Sequence, residues 1–303
     1  MAPLGPGRLA CGRGGRIRYP YSRNMMFMLT GWAGAVAATN FTEDMMTDTE
    51  TASDLSRTAP SPRLRFENLS MVFPDGTHAI DDVSFTVDPG EFVTVVGPSG
   101  CGKSTLLRIA SGLTEHTGGV CEGNRDSIGY VFQDATLLPW RTVQKNVELN
   151  AELHGIDKNE RKRRATEAIE LVNLVGHEGK YPKQLSGGMK MRCSLARSLV
   201  LNPEVFLFDE PFGALDEISR ERLNDELINL FRSEKFAALF ITHSIAEAVV
   251  LSTRVLVMSA RPGRLIGDYA IPFGAERPHD LRFEPEFAEI CGLINNDLKD
   301  AHS

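Results

Sequence analysis

The most constraining feature of the chain is a glycine-rich segment that fits the pattern G-x-x-x-x-G-K-[ST]; it reads Gly97-Pro98-Ser99-Gly100-Cys101-Gly102-Lys103-Ser104. Glycines let the backbone wrap closely around a phosphate with several N–H groups pointing inward. The Lys103 ammonium can then reach the β- and γ-phosphates of a nucleotide, and the Ser104 hydroxyl can bind Mg²⁺. Thr105 follows at the predicted start of a helix, where the helix dipole favours another phosphate. The segment therefore predicts a nucleotide-phosphate loop.

Strand and helix patterns alternate around this loop. An apolar run at 92–96 enters it and a helical pattern at 104–113 leaves it, which is a strand–loop–helix unit. Further along the chain, strand-like runs at 205–208, 237–242 and 254–258 are separated by helical patterns at 218–231 and 245–251. Strands that alternate with helices predict a mostly parallel sheet covered by helices.

An apolar run ends in two carboxylates that suit chemistry on the same phosphates. The run 205–208 leads directly into Asp209 and Glu210. Asp209 at the strand tip is placed to hold Mg²⁺, directly or through water. Glu210 is then the candidate to polarise an attacking water. Acidic pairs after strands are common on protein surfaces, so this interpretation depends on the phosphate loop.

A second glycine motif, Leu185-Ser186-Gly187-Gly188-Met189, stands just before a helical run. A serine and two glycines that open a helix form a second anion site, independent of the first. On their own they would equally be an ordinary helix N-cap with flexible glycines. The motif precedes the acidic strand in the chain, and the three motifs are therefore considered together.

Together these motifs resemble the ATP-binding subunits of ATP-binding-cassette (ABC) transporters, over residues 63 to about 300. The resemblance implies an α/β fold of the P-loop NTPase class with a mostly parallel core sheet. It also implies an N-terminal antiparallel β subdomain and an inserted α-helical subdomain. Helix-period patterns place the helical subdomain at about 135–200, and a terminal helix is predicted at about 283–299.

The resemblance assigns roles to residues that no pattern identifies alone. Phe73 stands where the family places an aromatic ring that stacks on adenine, although a core strand residue is the alternative. Gln133 matches the glutamine that touches Mg²⁺ and the attacking water. His243 matches the histidine that contacts the γ-phosphate.

Other matching positions concern a second subunit. Ser186, Gly187 and Gly188 match the signature that meets the γ-phosphate bound to the other subunit, and Asp216 matches the loop that crosses the dimer interface. Two positions depart from the family: Met191 stands where relatives usually have Gln, and Ser244 where they often have Asp. Neither departure removes a phosphate contact. Ser244 also keeps the S-x-x-E capping pattern with Glu247.

The resemblance further implies a complex of several subunits. Two copies would dimerise head to tail, and the cofactors would be ATP and Mg²⁺. The other partners would be integral-membrane permease subunits and, indirectly, an extracytoplasmic solute-binding protein, with the chain at the cytoplasmic face of the inner (plasma) membrane. The apolar run Leu137-Leu138-Pro139-Trp140 suits a docking surface, with a buried turn as the alternative. The motifs favour the nitrate/sulfonate/taurine importer branch, and Thr242-His243-Ser244 leans toward relatives that take up pyrimidine precursors of thiamine.

Composition argues against other functional classes. The chain has 33 Lys and Arg against 40 Asp and Glu, a net charge of −7, so we expect no nucleic-acid partner. The basic cluster at 158–164 is interpreted as a solvated helix face. The five cysteines form no C-x-x-C pair, which is typical of a reducing compartment. Cys101 would be either a redox switch at a helix N-terminus or simply a small side chain that fits.

The first 62 residues differ from the rest of the chain. Residues 1–40 contain five arginines and no acid, and 41–60 are polar and acidic. A basic lead and a short apolar stretch superficially match a secretory signal. We favour a disordered extension, or a start codon assigned too early with Met45 among the alternatives, since the predicted chemistry needs cytosolic ATP. Residues 63–303 would then form the ABC ATPase domain.

Two other classes of protein share part of the pattern. A P-loop kinase would explain 97–104, but not the second glycine motif together with Gln133 and His243. A non-transport ABC ATPase that acts on nucleic acid or ribosomes usually carries two cassettes or a long coiled-coil insertion. This sequence shows neither.

Overall fold

The structure is a computed structural model and describes residues 61–274 and 276–300. The extension predicted at 1–62 lies outside the described residues up to residue 60, and so does the alternative start Met45. The described residues form nine strands: β1 (Leu64–Val72), β2 (His78–Val87), β3 (Phe92–Val96), β4 (Gly118–Gly123), β5 (Ile128–Val131), β6 (Val205–Asp209), β7 (Ala237–Thr242), β8 (Arg254–Met258) and β9 (Leu265–Ala270).

Six of these strands form the central sheet, in the order β5-β6-β7-β3-β8-β9. Neighbouring strands are parallel except at one edge, where β9 is antiparallel to β8. Every residue of β3 is buried because the strand lies between β7 and β8 and apolar side chains pack on both faces. The sheet is therefore mostly parallel, as predicted.

The other three strands form a separate antiparallel sheet in the order β2-β1-β4. Leu64 and Phe66 of β1 are buried on one face while Arg65 between them is exposed, the alternation expected of a half-solvated sheet. Phe66 stacks on Phe85 of β2 with ring centroids 4.5 Å apart. This arrangement is the antiparallel β subdomain that the resemblance implies.

Eight α-helices complete the described fold: α1 (Lys103–Ala110), α2 (Val143–Val147), α3 (Leu149–Leu153), α4 (Lys158–Leu171), α5 (Gly187–Leu199), α6 (Glu217–Glu234), α7 (Ile245–Leu251) and α8 (Pro285–Asp300). Helices α2 to α5 fall within the segment predicted to be helical. On α4, Glu160 pairs with Arg163 and Arg164 at 2.7 Å, each three or four residues away. The basic cluster is thus a solvated, ion-paired helix face.

The core consists of two apolar clusters on opposite faces of the central sheet. Phe92 and Val96 of β3 belong to one cluster, whereas Val93 and Val95 belong to the other, as the two-residue repeat of a strand requires. Because the parallel strands β3, β6 and β7 end at the same edge, the segments that follow them are brought together there. That edge carries the phosphate loop, the acidic pair and His243.

The sequence patterns missed three strands and merged two helices. Strand β4 contains three glycines in six residues, so it has little β propensity of its own and exists because it pairs with β1. Strands β5 and β9 are short edge strands of the central sheet. The apolar positions at 142–153 follow one continuous helix period, but the segment forms two short helices, α2 and α3, that meet at Glu148.

Candidate functional site

The phosphate loop joins β3 to α1 with its concave side open to an anion. Gly102 has a φ of 104° and no side chain caps the helix, so the first N–H groups of α1 are available to a phosphate. A Cβ at Gly102 would lie 2.8 Å from the carbonyl oxygen of Ala79, so this position requires glycine. The buried Lys103 ammonium donates to the carbonyl oxygens of Gly97 and Pro98 at 2.9 and 3.0 Å. Its charge therefore lies within the curve of the loop.

The loop serine meets the acid at the end of β6. The Ser104 hydroxyl donates to Asp209 Oδ1 at 2.8 Å, and the Tyr130 hydroxyl donates to Asp209 Oδ2 at 3.3 Å. Burial, followed by the charge of Asp209, raises the pKa of Tyr130, so the phenol stays a donor. Sequence reasoning missed Tyr130 because β5 was not recognised as a strand beside β6.

Glu210, His243 and Gln133 converge next to this pair. Glu210 has a φ of 46°, a conformation that non-glycine residues adopt rarely. Its Oε2 lies 3.3 Å from His243 Nδ1. A Cβ placed on Gly213 would lie 3.7 Å from Gln133 Nε2 and 3.8 Å from Glu210 Oε2, so both side chains end beside the same glycine.

Gln133 and Glu210 line an open cleft of about 410 Å³, here called the phosphate-loop cleft; its lining also includes Phe73, Ser99, Gly100, Gly102, Lys103, Ser104 and Thr105. Phe73 directly follows β1, and its N–H donates to the carbonyl oxygen of Thr77 across the turn. The ring is half-buried and packs against one of the two core clusters. Part of the ring therefore supports the core while the residue also lines the cleft.

The phosphate-loop cleft is also lined by an arginine, Arg261, that no sequence motif indicated. Arg261, in the loop between β8 and β9, donates from Nε and Nη2 to the carbonyl oxygen of Gly100 at 3.3 and 3.2 Å. In the same loop, a Cβ on Gly263 would lie 2.1 Å from the carbonyl oxygen of Cys101. The β8–β9 loop thus packs directly against the phosphate loop.

Cys101 is enclosed rather than reactive. Its side chain is 1% exposed, and burial raises the pKa of its thiol. A reactive thiol needs the opposite shift and solvent access. The geometry therefore favours a small side chain that fits the loop over the redox switch.

The second glycine motif lies at the start of α5. Ser186 Oγ accepts from the Met189 N–H at 3.3 Å as the helix N-cap, and Gly187 and Gly188 are the first helical residues. Asp216 caps α6 by accepting from the Ser219 N–H at 3.0 Å. Hydrogen bonds from Ser219 hold the pKa of Asp216 below its usual value, so the carboxylate is ionised at neutral pH.

The motif and Asp216 share a second cleft of about 360 Å³, here called the signature cleft; its lining includes Ser186, Gly187, Gly188, Leu215 and Asp216. A Cβ on Gly187 would lie 3.0 Å from Leu215 Cδ2, so the two segments are in close contact. No residue of the signature cleft lines the phosphate-loop cleft. Within one chain, the predicted site residues are therefore divided between two separate surfaces.

A polar network holds the segment between the phosphate-loop cleft and the helices. The fully buried Asn146 accepts from the Leu138 N–H at 2.8 Å and donates to the carbonyl oxygens of Leu138 and Arg141. Trp140 is 71% exposed, whereas Leu137 and Leu138 are half-buried. The apolar run is thus partly a buried turn and partly an exposed aromatic surface.

The donor atoms beside the phosphate loop suit Mg²⁺. A serine hydroxyl, a carboxylate and an amide oxygen, from Ser104, Asp209 and Gln133, are hard oxygen ligands. Over 61–274 and 276–300, no group of three or more His, Cys, Asp or Glu side chains is arranged to hold a metal ion. This small donor set fits a Mg²⁺ ion that takes its remaining ligands from nucleotide phosphates and water.

Residues 80–213 match the family model described as ABC transporter. The helices in the described part of the chain include none long and apolar enough to cross a membrane.

Curated relatives share most of the chain. An uncharacterised ABC transporter ATP-binding protein of Methanocaldococcus jannaschii is 46% identical over 248 residues, covering 78% of this chain and 92% of the relative. The taurine import ATP-binding protein TauB of Rhizobium johnstonii is 41% identical, covering 70% and 86%. The aliphatic sulfonates import ATP-binding protein SsuB of Bacillus licheniformis is 42% identical, covering 62% and 76%.

Solved structures have the same fold. An ATP-binding cassette, solved as a dimer in a post-hydrolysis state with ADP and Pi, aligns with a TM-score of 0.62 and 29% identity over 70% of this chain and 100% of that one. The cbiO1 protein of Clostridium perfringens, part of the ABC transporter complex cbiONQ, aligns with a TM-score of 0.65 and 25% identity over 80% and 98%.

Proposed function

The chain belongs to the ABC transporter family as an ATP-binding protein, and on that premise we propose that it hydrolyses ATP to power solute import through a separate membrane permease. The observation that carries the proposal is the division of the site. The phosphate loop with Gln133 and Glu210 lines one cleft, and Ser186 with Asp216 lines another. Hydrolysis then takes place where the two clefts of different chains face each other.

Two copies related by a twofold axis would bring the phosphate-loop cleft of each against the signature cleft of the other. The start of α5 offers backbone N–H groups to the γ-phosphate from the side opposite Lys103. Closure is favoured because the γ-phosphate supplies charge that both faces bind. The dimeric ATP-binding cassette among the similar structures supports this assembly.

Within each composite site, Glu210 orients and polarises the water that attacks the γ-phosphate in line with the leaving oxygen. His243, 3.3 Å from Glu210, steadies that carboxylate and reaches the γ-phosphate. Lys103 neutralises charge that develops on the phosphates. When bound, Mg²⁺ would be held by Ser104, Asp209 and Gln133 and would further neutralise phosphate charge.

Coupling to transport is assigned to the segment that follows Gln133. Arg197 of α5 donates to the carbonyl oxygens of Ala135 and Thr136 at 3.0 and 2.9 Å, so this segment moves with the helix that carries the signature motif. The exposed Trp140 lies further along the same segment. It offers an apolar contact to a permease subunit at the cytoplasmic face of the membrane.

The cargo proposed is a small polar or anionic solute. Its support is the naming of two relatives as importers of aliphatic sulfonates and of taurine. The proposed cargo therefore rests on similarity to these relatives. A solute-binding protein outside the membrane would deliver the cargo to the permease.

ATP turnover in Glu210→Gln tests the chemical assignment. The variant keeps the shape of the side chain but loses the base, so we expect kcat to fall by about a hundredfold or more while ATP still binds. Glu289→Gln, on the exposed face of α8, is the matched control and should hydrolyse ATP like the parent chain. Near-normal turnover in Glu210→Gln would contradict the role proposed for Glu210.

A further inference from the structure

A short segment links the two clefts within one chain. It begins at Glu210, whose carbonyl oxygen accepts from the Gly213 N–H at 3.1 Å, and continues with a second turn in which the Leu215 N–H donates to the carbonyl oxygen of Phe212 at 3.1 Å. It ends at Asp216, the N-cap of α6. The relative placement of Glu210 and Asp216 therefore depends on the shape of these two turns.

One side chain donates hydrogen bonds to the backbone of these two turns. Arg220, in the first turns of α6, folds back and donates from Nη2 to the carbonyl oxygen of Leu215 at 3.0 Å and from Nε to that of Phe212 at 3.4 Å. Its Nη1 also contacts Glu217 at 3.1 Å. The side chain is 21% exposed. A guanidinium suits this task because its rigid fork presents several donors in fixed directions, unlike the single point charge of lysine.

The charge of the same arginine also acts on Glu247, which supports the segment that carries His243. Thr242 Oγ1 donates to the buried Glu247 and accepts from the Ser244 N–H at 3.0 Å, which fixes the backbone on both sides of His243. Burial raises the pKa of Glu247, and the charge of Arg220 acts in the opposite direction. The charge of Arg220 therefore acts on Glu247 as well, while its hydrogen bonds are made to the Glu210–Asp216 segment.

We propose that Arg220 is a positioning residue whose forked guanidinium sets the geometry of the Glu210–Asp216 segment for hydrolysis between two subunits. The inference rests on the proposed function, because Asp216 acts there across the dimer interface. Arg220 lines neither cleft. Its removal is therefore expected to act on the placement of Glu210 and Asp216 and not on nucleotide contacts made by the phosphate loop.

The test compares Arg220→Ala and Arg220→Lys with the parent chain, all at full length. Each is measured for ATP affinity with Mg²⁺, for kcat and KM, and for the midpoint of thermal unfolding. Both variants lose the fork, so kcat is expected to fall about tenfold or more in each, while the ATP affinity changes less than about twofold. Arg232→Ala is the matched control, since Arg232 is an exposed arginine of the same helix that contacts only Glu276, at 3.8 Å, among its acidic neighbours in the described chain.

Four results would overturn the inference. Full turnover in Arg220→Lys would mean that only the charge near Glu247 matters. Loss of ATP affinity in proportion to lost thermal stability would mean that Arg220 is merely structural. Parent-like turnover in Arg220→Ala, beside an active parent chain, contradicts the inference alone. A parent chain that does not hydrolyse ATP contradicts the proposed function and this inference with it. Should Arg220→Ala fail to fold, Arg220→Lys decides the question.

Discussion

The Ser104 hydroxyl donates a 2.8 Å hydrogen bond to Asp209, a residue 105 positions later in the chain. The bond joins the first turn of α1 to the end of β6 and places a hydroxyl and a carboxylate on the same side of the phosphate loop. Both groups offer hard oxygen ligands for Mg²⁺, and the hydrogen bond between them holds the two oxygens close together. This pair is therefore the best-defined part of the proposed Mg²⁺ site.

Asp209→Asn should weaken nucleotide binding only when Mg²⁺ is present. The amide keeps an oxygen for Ser104 but removes the charge that favours a divalent cation. We expect the affinity for ATP with Mg²⁺ to fall by about tenfold or more, with little change in affinity when the metal is chelated. Titration with a fluorescent ATP analogue, with and without chelator, measures both. Equal losses under the two conditions would rule out a metal role for Asp209.

Mixing two inactive chains should restore activity if the site is shared between subunits. Lys103→Ala removes the phosphate-loop cation, and Ser186→Arg blocks the signature cleft. A mixed dimer has one site with both parts intact, formed by the phosphate loop of the second variant and the signature motif of the first. ATP turnover is measured for each variant alone and after mixing. A mixture no more active than its components would contradict a composite site.

Asn146→Ala should destabilise the fold without any direct contact with nucleotide. The substitution leaves the half-buried Leu138 N–H without its acceptor and several carbonyl oxygens without a donor. An unsatisfied buried polar group costs about 1–3 kcal/mol, and we expect the free energy of unfolding in urea to fall by about that amount. Asn159→Ala, at an exposed position in the first turn of α4, is the control and should stay close to the parent chain.

The free energy of unfolding of Glu247→Gln should increase, relative to that of the parent chain, as the pH rises. Burial raises the pKa of the folded carboxyl above its ordinary value of 4.5, so the folded state binds this proton more tightly than the unfolded state does. The resulting contribution to stability is present at low pH and is lost as the pH rises through the raised pKa. Glutamine is neutral throughout and retains an oxygen for Thr242.

Urea unfolding at pH 5 and pH 8 measures this effect. Other titrating groups are common to both proteins, so the difference in unfolding free energy between variant and parent isolates Glu247. That difference should grow in favour of Glu247→Gln toward pH 8. A difference independent of pH would show that Glu247 titrates alike in the folded and unfolded chain.

Local chemistry explains why much of the site could be predicted. Phosphate loops need glycines at fixed spacing, and a parallel strand delivers the residues after it to one edge of the sheet. Asp209, Glu210 and His243 therefore lie close to the phosphate loop, as the order of strands and motifs indicates. The roles of these residues in hydrolysis stay predictions until the variants are measured.

The remaining features depend on contacts between distant residues. Tyr130 reaches Asp209 across 79 positions, and Arg261 reaches Gly100 across 161. No local pattern distinguishes these side chains from ordinary surface or core residues. Arg220 is nearer in sequence to its partners, but its hydrogen bonds depend on two turns that no sequence pattern predicts. Strand β4 was missed for a related reason, since its pairing with β1 outweighs its own glycine-rich propensity.

The position of β3 in the sheet has a consequence for biosynthesis. Among the described strands, the one that feeds the phosphate loop pairs with β7 and β8 alone, and Gly263 packs against the loop itself. A ribosome delivers these neighbours long after the loop, and pairing across such separations is slow. A nascent chain that ends before β7 presents the whole glycine-rich motif without the framework that shapes it. We therefore expect nucleotide capture to begin only after β7 and β8 have been synthesised.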